Sequence, residues 1–227
     1  MIAFDTAQTL RGTFGTSWSH TCSGTNRLLL VWITSGNYQN NTDPSTVTYN
    51  GVAMTQIAKL NYLNNSSRAV WLYALVNPAA GANNVVVSFG GSQMMCGCSA
   101  SYNGCNQTTN PEAVATSTNG GNNTQSLALS VTTLTNNAWI VGGAWWFGGQ
   151  NYSVSAGGGT IRTQYTGETN DPAMYDSNGV VTPAGAKSLT INVTSSSNQV
   201  QMINVSITPA LMTGLLAGSL AMMGIGM

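Results

Sequence analysis

The sequence predicts an all-β chain folded as a two-sheet antiparallel sandwich, of the jelly-roll or immunoglobulin-like kind. Three observations predict this class. Short segments either alternate apolar and polar residues or are continuously apolar, which are the patterns of half-buried and fully buried strands. Turn segments rich in Gly, Asn and Pro separate them at short intervals. No soluble segment has the periodicity of an amphipathic helix. We expect one sandwich domain over residues 1–209, followed by an apolar tail over residues 210–227.

The first predicted strands are well marked. Residues 10–20 alternate large or small apolar residues with polar ones, as a half-buried strand does. Residues 27–33 form a short apolar run typical of a strand buried on both faces. Residues 46–49 and 52–57 flank Asn50-Gly51, which tolerates positive φ at both positions. This pair predicts a two-residue type I′ hairpin.

The later strands follow at the spacing expected of a sandwich. They are predicted at residues 69–76, 84–89, 94–102, 126–132, 138–147, 160–165, 188–193 and 200–207. Trp32, Trp71 and Tyr73 lie on continuously apolar strands and are expected in the core. Neighbouring side chains of a strand point to opposite faces, so one of Trp145 and Trp146 is expected to be buried and the other exposed.

Ordered blocks of the sequence resemble a family of β-sandwich modules. The blocks read GTNRLLLV from residue 24, VTYNGVAMT from 47, VWLYALVNPAAG from 70, NVVVSF from 84, ASYNGCNQT from 100 and INVSITP from 203. They are similar to the family's "SNRLLVV", "VTYGGVALT", "YLVNPPAG", "SYSGVDQTTP" and "VSIKPA". Such modules recur in bacterial surface proteins and in phage structural proteins. The resemblance implies a sandwich fold and a structural or adhesive role, and it brings no catalytic residues.

The chain is very poor in charge, with six Lys and Arg balanced by six Asp and Glu. Scattered cations build no basic patch, so we expect no nucleic-acid partner. Few titratable groups leave little material for acid, base or metal chemistry, so we expect no enzyme, no cofactor and no metal site. Near-zero net charge favours association, which suggests that the surfaces are covered in an assembly.

Three groups of reactive residues are candidate sites. Cys22, Cys96, Cys98 and Cys105 lack the paired spacing of a zinc ribbon and are expected to be buried free thiols, with a disulfide as the alternative. His20 is expected at the exposed end of a strand, with no nucleophile elbow nearby. Residues 168–179 are expected to form a solvated acidic loop, with calcium binding as the alternative. An enzyme would have to use Glu168, Asp171 or Asp176.

The C-terminal tail, residues 210–227, contains no charged residue and is rich in Met and Gly. A membrane span is one interpretation, but the tail lacks flanking Lys or Arg, and burial against a protein is favoured. The residues expected to make assembly contacts are Leu211, Met212, Leu215, Leu216, Leu220, Met222 and Met223. The N-terminal residues, MIAFDTAQTL, do not have the pattern of a signal peptide, so synthesis in a host cytoplasm is expected.

These observations favour a non-enzymatic structural protein of a phage virion. A capsid decoration (cement) protein and a tail or fibre subunit both fit, with copies of itself and other virion proteins as partners and the virion as its location. The alternative is a carbohydrate-binding or adhesion module. That module would use Trp145, Trp146 and Tyr152 as a stacking platform for a glycan, although the exposed Trp could equally be a subunit contact.

Overall fold

The computed structural model describes residues 1–13, 16–35, 42–62, 68–90, 94–148, 151–166, 170–197 and 199–211. Within them the chain is all-β, as predicted, and its strands are arranged in four antiparallel sheets. The described residues include no helix long and apolar enough to cross a bilayer.

Residues 1–105, the N-half, form a long hairpin that rolls up on itself. Its strands are β1 (Ala3–Thr13), β2 (Thr16–Cys22), β3 (Leu28–Ser35), β4 (Thr46–Tyr49), β5 (Val52–Ala53), β6 (Thr55–Asn61), β7 (Ala69–Val76), β8 (Gly81–Ser88) and β9 (Met94–Asn103). β1 pairs with β9, β2 with β8, β3 with β7 and β4 with β5. β9 also pairs with β3, and β8 with β4, which rolls the hairpin into a jelly roll.

Residues 106–211, the C-half, repeat this pattern. Their strands are β10 (Ala113–Thr118), β11 (Thr124–Thr132), β12 (Trp139–Phe147), β13 (Tyr152–Ala156), β14 (Thr160–Gln164), β15 (Asn170–Asp176), β16 (Ala186–Ser197) and β17 (Val200–Ile207). β10 pairs with β17, β11 with β16, and β12 with both β15 and β17. The strand order of the C-half therefore matches that of the N-half in both sheets, except that β5 has no counterpart in the C-half.

The sheets stack in four layers. The N-outer sheet (β2-β8-β4-β5) packs on the N-inner sheet (β1-β9-β3-β7-β6), and the C-inner sheet (β10-β17-β12-β15-β14) packs on the C-outer sheet (β11-β16-β13). The largest core lies between the two inner sheets. β3, β12 and β17 are therefore buried on both faces, which explains the mainly apolar sequences of β3 and β12. β17 also buries Gln201, Asn204 and Ser206.

Equivalent positions in the two halves follow from the backbone. Asn26 and Asn137 both have positive φ and both precede an inner strand by two residues, β3 and β12 respectively. Counting from them, Trp32 is equivalent to Gly143. These two residues face each other: a Cβ atom at Gly143 would lie 2.1 Å from Cε3 of Trp32. Some contacts between the halves are reciprocal, because β1 lies against β14 as β6 lies against β10.

The structure also corrects several predicted elements. The sheets number four where two were expected, because each half closes a sandwich of its own. The predicted strand at residues 10–20 is the end of β1 and the start of β2. β10, β13 and β15 were not predicted. The Asn50-Gly51 hairpin is confirmed, with φ of 50° and 75° and Tyr49 opposite Val52.

Candidate assembly site at the C-terminal exit

One end of the molecule, the exit pole, carries both described chain ends. It consists of residues 1–2 and 208–211 and of the turns at residues 23–27, 77–80, 104–112, 133–138 and 177–185. The pairing registers place these turns together, since Leu28 lies opposite both Val76 and Tyr102, and Trp139 lies opposite Ile207. The tail beyond residue 211 must start from this pole.

The last described residues are fixed to the linker between the halves. Thr208 N donates to Asn110 Oδ1 at 2.7 Å, and Asn106 N donates to Thr208 O at 2.8 Å. Pro209 forms a β-bridge with Cys105, and Ala210 N donates to Gly104 O at 2.8 Å. The start of the tail is therefore held in a defined place on the surface.

An open groove of about 520 Å³ lies where the tail leaves. It is lined by Met1, Gly24, Thr25, Asn26, Asn103, Gly104, Ala210 and Leu211. Gly104, with φ of +67°, is required here, because a Cβ atom would lie 2.0 Å from the carbonyl oxygen of Met1. Met1 and Leu211 are 93% and 78% exposed, and both line the groove, so its rim is apolar at these two residues.

Of the predicted assembly residues, Leu211 is the one that the structure describes. It is 78% exposed to solvent, and its role as an assembly contact stays a prediction. Met212, Leu215, Leu216, Leu220, Met222 and Met223 lie outside the described residues. Leu134 and Val180, in two other turns of the exit pole, are also large apolar residues exposed to solvent.

A carboxylate fixes the β2–β3 turn of the N-half at this pole. Asp5 accepts hydrogen bonds from the backbone N and the hydroxyl of Ser23 and from Ser101 Oγ at 2.9 Å. Burial alone would raise the pKa of Asp5, but the hydrogen bonds from Ser23 and Ser101 outweigh it and lower the pKa below its usual value. The carboxylate is therefore committed to holding the turn.

Glu112 does the same for the equivalent turn of the C-half. It accepts hydrogen bonds from Leu134 N at 2.9 Å, from Thr135 N and Oγ1, and from Ser206 Oγ at 2.7 Å. Ser101 and Ser206 occupy equivalent positions, opposite Leu29 and Ile140. We call Asp5 and Glu112 the carboxylate clamps. Sequence reasoning missed them, because Glu112 stands outside every predicted strand.

The other carboxylates with described side chains are also engaged. Asp43 accepts from Trp71 Nε1 and pairs with Lys59 Nζ, both at 2.8 Å. Asp176 is fully buried, pairs with Arg162 Nε at 2.6 Å and accepts from Tyr102 Oη at 3.0 Å. The last contact joins the two halves, since Tyr102 lies on β9 and Asp176 on β15. Across the described residues, His, Cys, Asp and Glu form no group of three that could hold a metal ion.

The prediction of an acidic loop at residues 168–179 is wrong for most of this segment. Asn170–Asp176 is strand β15, paired with β12 and β14. Met174 and Tyr175 are buried, and their strand pairing overrides the loop-like composition of Asp171-Pro172. Glu168 and the side chain of Asp171 are outside the described part of the chain.

The three aromatic residues of the alternative glycan platform are all buried. Trp145 and Trp146 point to opposite faces, as predicted, but both are buried: Trp145 lies in the core between the inner sheets and Trp146 in the core of the C-half. The expectation that one ring is exposed is wrong, because β12 is covered on both faces. Tyr152 is buried as well, and its hydroxyl accepts a hydrogen bond from Trp146 N at 3.1 Å.

The reactive residues of the N-half are buried. The four cysteines are free thiols, as expected, and burial raises the pKa of Cys105 to about 12 and that of Cys98 well above its usual value. His20 is only 1% exposed, which contradicts its expected place at an exposed strand end. The core expectation for Trp32, Trp71 and Tyr73 is confirmed.

Comparison of the chain with protein-family models, with curated proteins and with solved structures found no match. The resemblance to a β-sandwich module family therefore stays an expectation from the sequence, and the function must be argued from the geometry described above.

Proposed function

We propose that this chain is a non-enzymatic structural protein of a phage virion, a capsid decoration protein or a tail or fibre subunit, that docks through its C-terminal tail. The single observation that carries the proposal is the way in which Leu211 is presented. The chain is fixed to the linker as far as Ala210, and Leu211 then lies exposed at the rim of a groove. An uncharged apolar segment follows directly.

Physical chemistry supports an assembly role for this arrangement. An exposed apolar segment of this length is costly in water, and a protein surface that covers it removes the cost. A Met-rich segment adapts to irregular grooves because its side chains are unbranched and flexible. The rigid anchoring at Pro209 and Ala210 reduces the entropy that the tail loses on docking.

The body of the molecule suits a scaffold. The carboxylates whose side chains are described accept hydrogen bonds from turns or form ion pairs between strands. Many of the described aromatic side chains lie in the hydrophobic cores. Jelly rolls are used both in virus capsids and in lectins. The lectin alternative has no support from Trp145, Trp146 and Tyr152, because their rings are buried.

The proposal is tested on the full chain by its oligomeric state. Leu216→Arg places a charge in the middle of the tail, and we expect it to convert large assemblies into smaller species in light scattering and electron microscopy. Val52→Arg is the matched control, because Val52 is also an exposed apolar residue but lies on the hairpin of the N-outer sheet. A full-length wild-type chain that is a monodisperse monomer would contradict the proposal.

A further inference from the structure

The chain contains a single histidine, and it is buried inside the N-half. His20 lies on β2 of the N-outer sheet and reaches the N-inner sheet through both ring nitrogens. Nδ1 is 2.8 Å from Ser99 Oγ on β9, and Nε2 is 3.3 Å from Thr6 Oγ1 on β1. The imidazole therefore bridges three strands and both sheets of the N-half.

The neighbours of the two hydroxyls fix which ring nitrogen carries the proton. Trp18 Nε1, which can only donate, donates to Ser99 Oγ at 2.9 Å, so the Ser99 hydroxyl proton is available for Nδ1. Thr6 Oγ1 donates to the Thr21 carbonyl at 2.6 Å and is therefore an acceptor for Nε2–H. The complete chain of donors and acceptors needs a neutral ring with its proton on Nε2.

A second proton on the ring breaks this chain. Nδ1–H would donate to Ser99 Oγ, which already accepts from Trp18, and the Ser99 proton would lose its acceptor. Among the described residues, Ser99 Oγ has only Trp18 and His20 as side-chain hydrogen-bond partners. A buried hydroxyl without its acceptor and a buried imidazolium are both unfavourable.

The titratable groups around the ring do not compensate for the added charge. Cys22 lies on the same strand, the Tyr49 ring on β4 is 6.4 Å away, and the Asp5 carboxylate on β1 is committed to Ser23 and Ser101. β8 and β9 present Asn83, Ser99 and Ser101 near this site. Burial lowers the pKa of His20 to about 4, and the negative charge of Asp5 opposes this only in part.

The C-half has no such group at the equivalent position. His20 lies opposite Asn83, two residues after Gly81, and Val131 lies opposite Lys187, two residues after Gly185. Val131 is buried in an apolar core. Asn204, equivalent to Ser99, donates its amide to the Leu129 carbonyl at 2.9 Å. Among the described residues, the position equivalent to the imidazole is therefore occupied by an apolar side chain that acid does not protonate.

We propose that His20 is an acid-sensitive latch between the two sheets of the N-half, and that protonation of its ring separates β1 from β2 while the C-half stays folded. The opening reaches the exit pole, because β2 ends at Cys22 beside the Ser23 turn that Asp5 holds. Acid would thus loosen the Gly24–Asn26 wall of the groove from which the tail departs. The latch is independent of which assembly the chain joins.

The test follows the one imidazole and the backbone of the full chain together. ¹⁵N NMR of the ring at neutral pH is expected to show the proton on Nε2, and titration is expected to give a midpoint near 4. Amide hydrogen exchange is expected to show that β1 and β2 lose protection by about tenfold or more over the same pH range, with β11 and β17 unchanged. A midpoint near the ordinary 6.5, a proton on Nδ1, or equal loss in both halves would overturn the proposal.

His20→Asn separates the effect of the imidazole from that of the other acid-sensitive group nearby, the Asp5 carboxylate. The Asn amide oxygen can accept from Ser99 but does not titrate, so protection of β1 and β2 is expected to become independent of pH between about 6 and 4. Asp5→Asn is the control: it is expected to keep a transition that depends on His20, at a pH below that of wild type, because the negative charge that raises the His20 pKa is gone. If His20→Asn opens in acid as wild type does, the Asp5 clamp is responsible and the proposal is wrong. If that variant does not fold, the wild-type chain decides. The proposal holds if the His20 ring titrates over the same pH range in which β1 and β2 lose protection, and it is wrong if the two pH ranges differ.

Discussion

The N-half and the C-half have the same strand order but fill equivalent positions with different side chains. Where the N-half has His20, the C-half has Val131, and where the N-half has Trp32, the C-half has Gly143. The last pair meets across the central interface. Two identical halves would place Trp against Trp there, so the halves fit because they differ. The strand order is the same in both halves despite these differences in side chains, whereas the packing of the two inner sheets against each other depends on them.

What the halves share is concentrated in the turns of the exit pole. Both have an Asn with positive φ before the third strand, at Asn26 and Asn137. Both hold the preceding turn with a carboxylate, Asp5 or Glu112. These features set backbone direction where the chain turns back, and a jelly roll needs that direction to be the same each time. The two halves therefore resemble each other most in their turns and differ most in the side chains of their cores.

Asp176 holds a buried ion pair within the C-half, with Arg162, and accepts a hydrogen bond from Tyr102 of the N-half. Asp176→Asn removes the negative charge that faces Arg162 and leaves that cation beside the Phe4 ring in a largely buried site. Breaking a buried ion pair in this way costs about 4 kcal/mol of unfolding free energy, and urea denaturation measures it. The expected loss exceeds that of any other substitution considered below.

An exposed ion pair provides the control for Asp176. Lys59→Met removes the partner of Asp43 on a solvent-accessible surface, and we expect a loss of no more than about 1 kcal/mol. Equal losses at Asp176 and Lys59 would show that the buried pair contributes no more to stability than the exposed pair does.

Acid should distinguish the halves through His20. Its pKa is about 4 in the folded chain and about 6.5 when unfolded, so the unfolded state binds the proton first as the pH falls. Stability is complete above about pH 6.5, decreases between 6.5 and 4, and loses about 3 kcal/mol in all, at about 1.4 kcal/mol per pKa unit. Urea denaturation at several pH values measures the decrease.

His20→Val makes the N-half resemble the C-half at this position. We expect the decrease between about pH 6.5 and 4 to disappear in this variant, whatever its stability at neutral pH. A decrease as steep as that of wild type would contradict the assignment and would place the acid sensitivity in carboxylates instead.

The Trp32 and Gly143 pair tests whether the inner faces are complementary. Gly143→Ala puts a methyl group where the Trp32 ring lies, and we expect a loss of about 2 to 3 kcal/mol from overpacking. Gly185→Ala is the matched control in the same half, because nothing lies within 4 Å of the place that its new methyl group would occupy. Thermal unfolding followed by circular dichroism compares the two, and equal shifts would contradict the close fit.

Much of the fold could be predicted because its signals are local. The Asn50-Gly51 turn and the buried strand predicted at residues 27–33 depend on sequence patterns within a few residues, and the structure has both, the strand starting at Leu28. Trp145 and Trp146 show the limit. Alternation tells which face a side chain is on, but only the stacking of four sheets tells that both faces are covered. The expectation for His20 is wrong for the same reason.

The internal repeat did leave a signal in the sequence. Residues 76–82 read VNPAAGA and residues 181–186 read VTPAGA, and both segments lead into equivalent strands, β8 and β16. Comparing the chain with itself would have indicated two similar halves and a duplicated set of sheets. The carboxylate clamps could not be found in this way, because Asp5 and Glu112 differ in side-chain length and in their neighbours.

The two carboxylate clamps are expected to give small and evenly matched losses of stability. Asp5→Asn and Glu112→Gln keep the size of each side chain but weaken its hydrogen bonds to the turn and turn one oxygen into a donor. Hydrogen bonds to charged groups contribute more than neutral ones, so we expect each variant to lose about 1 to 2 kcal/mol, measured by urea denaturation. The pKa of Asp5 is lowered in the folded chain, so its contribution is present above its unfolded pKa and is lost as the pH falls through the folded value. Hydrogen exchange should localise each loss, to the Ser23 turn for Asp5 and to the Leu134 turn for Glu112. If one variant loosened both turns, the halves would not be separate folding units joined by their inner sheets, and the two clamps would belong to a single cooperative structure.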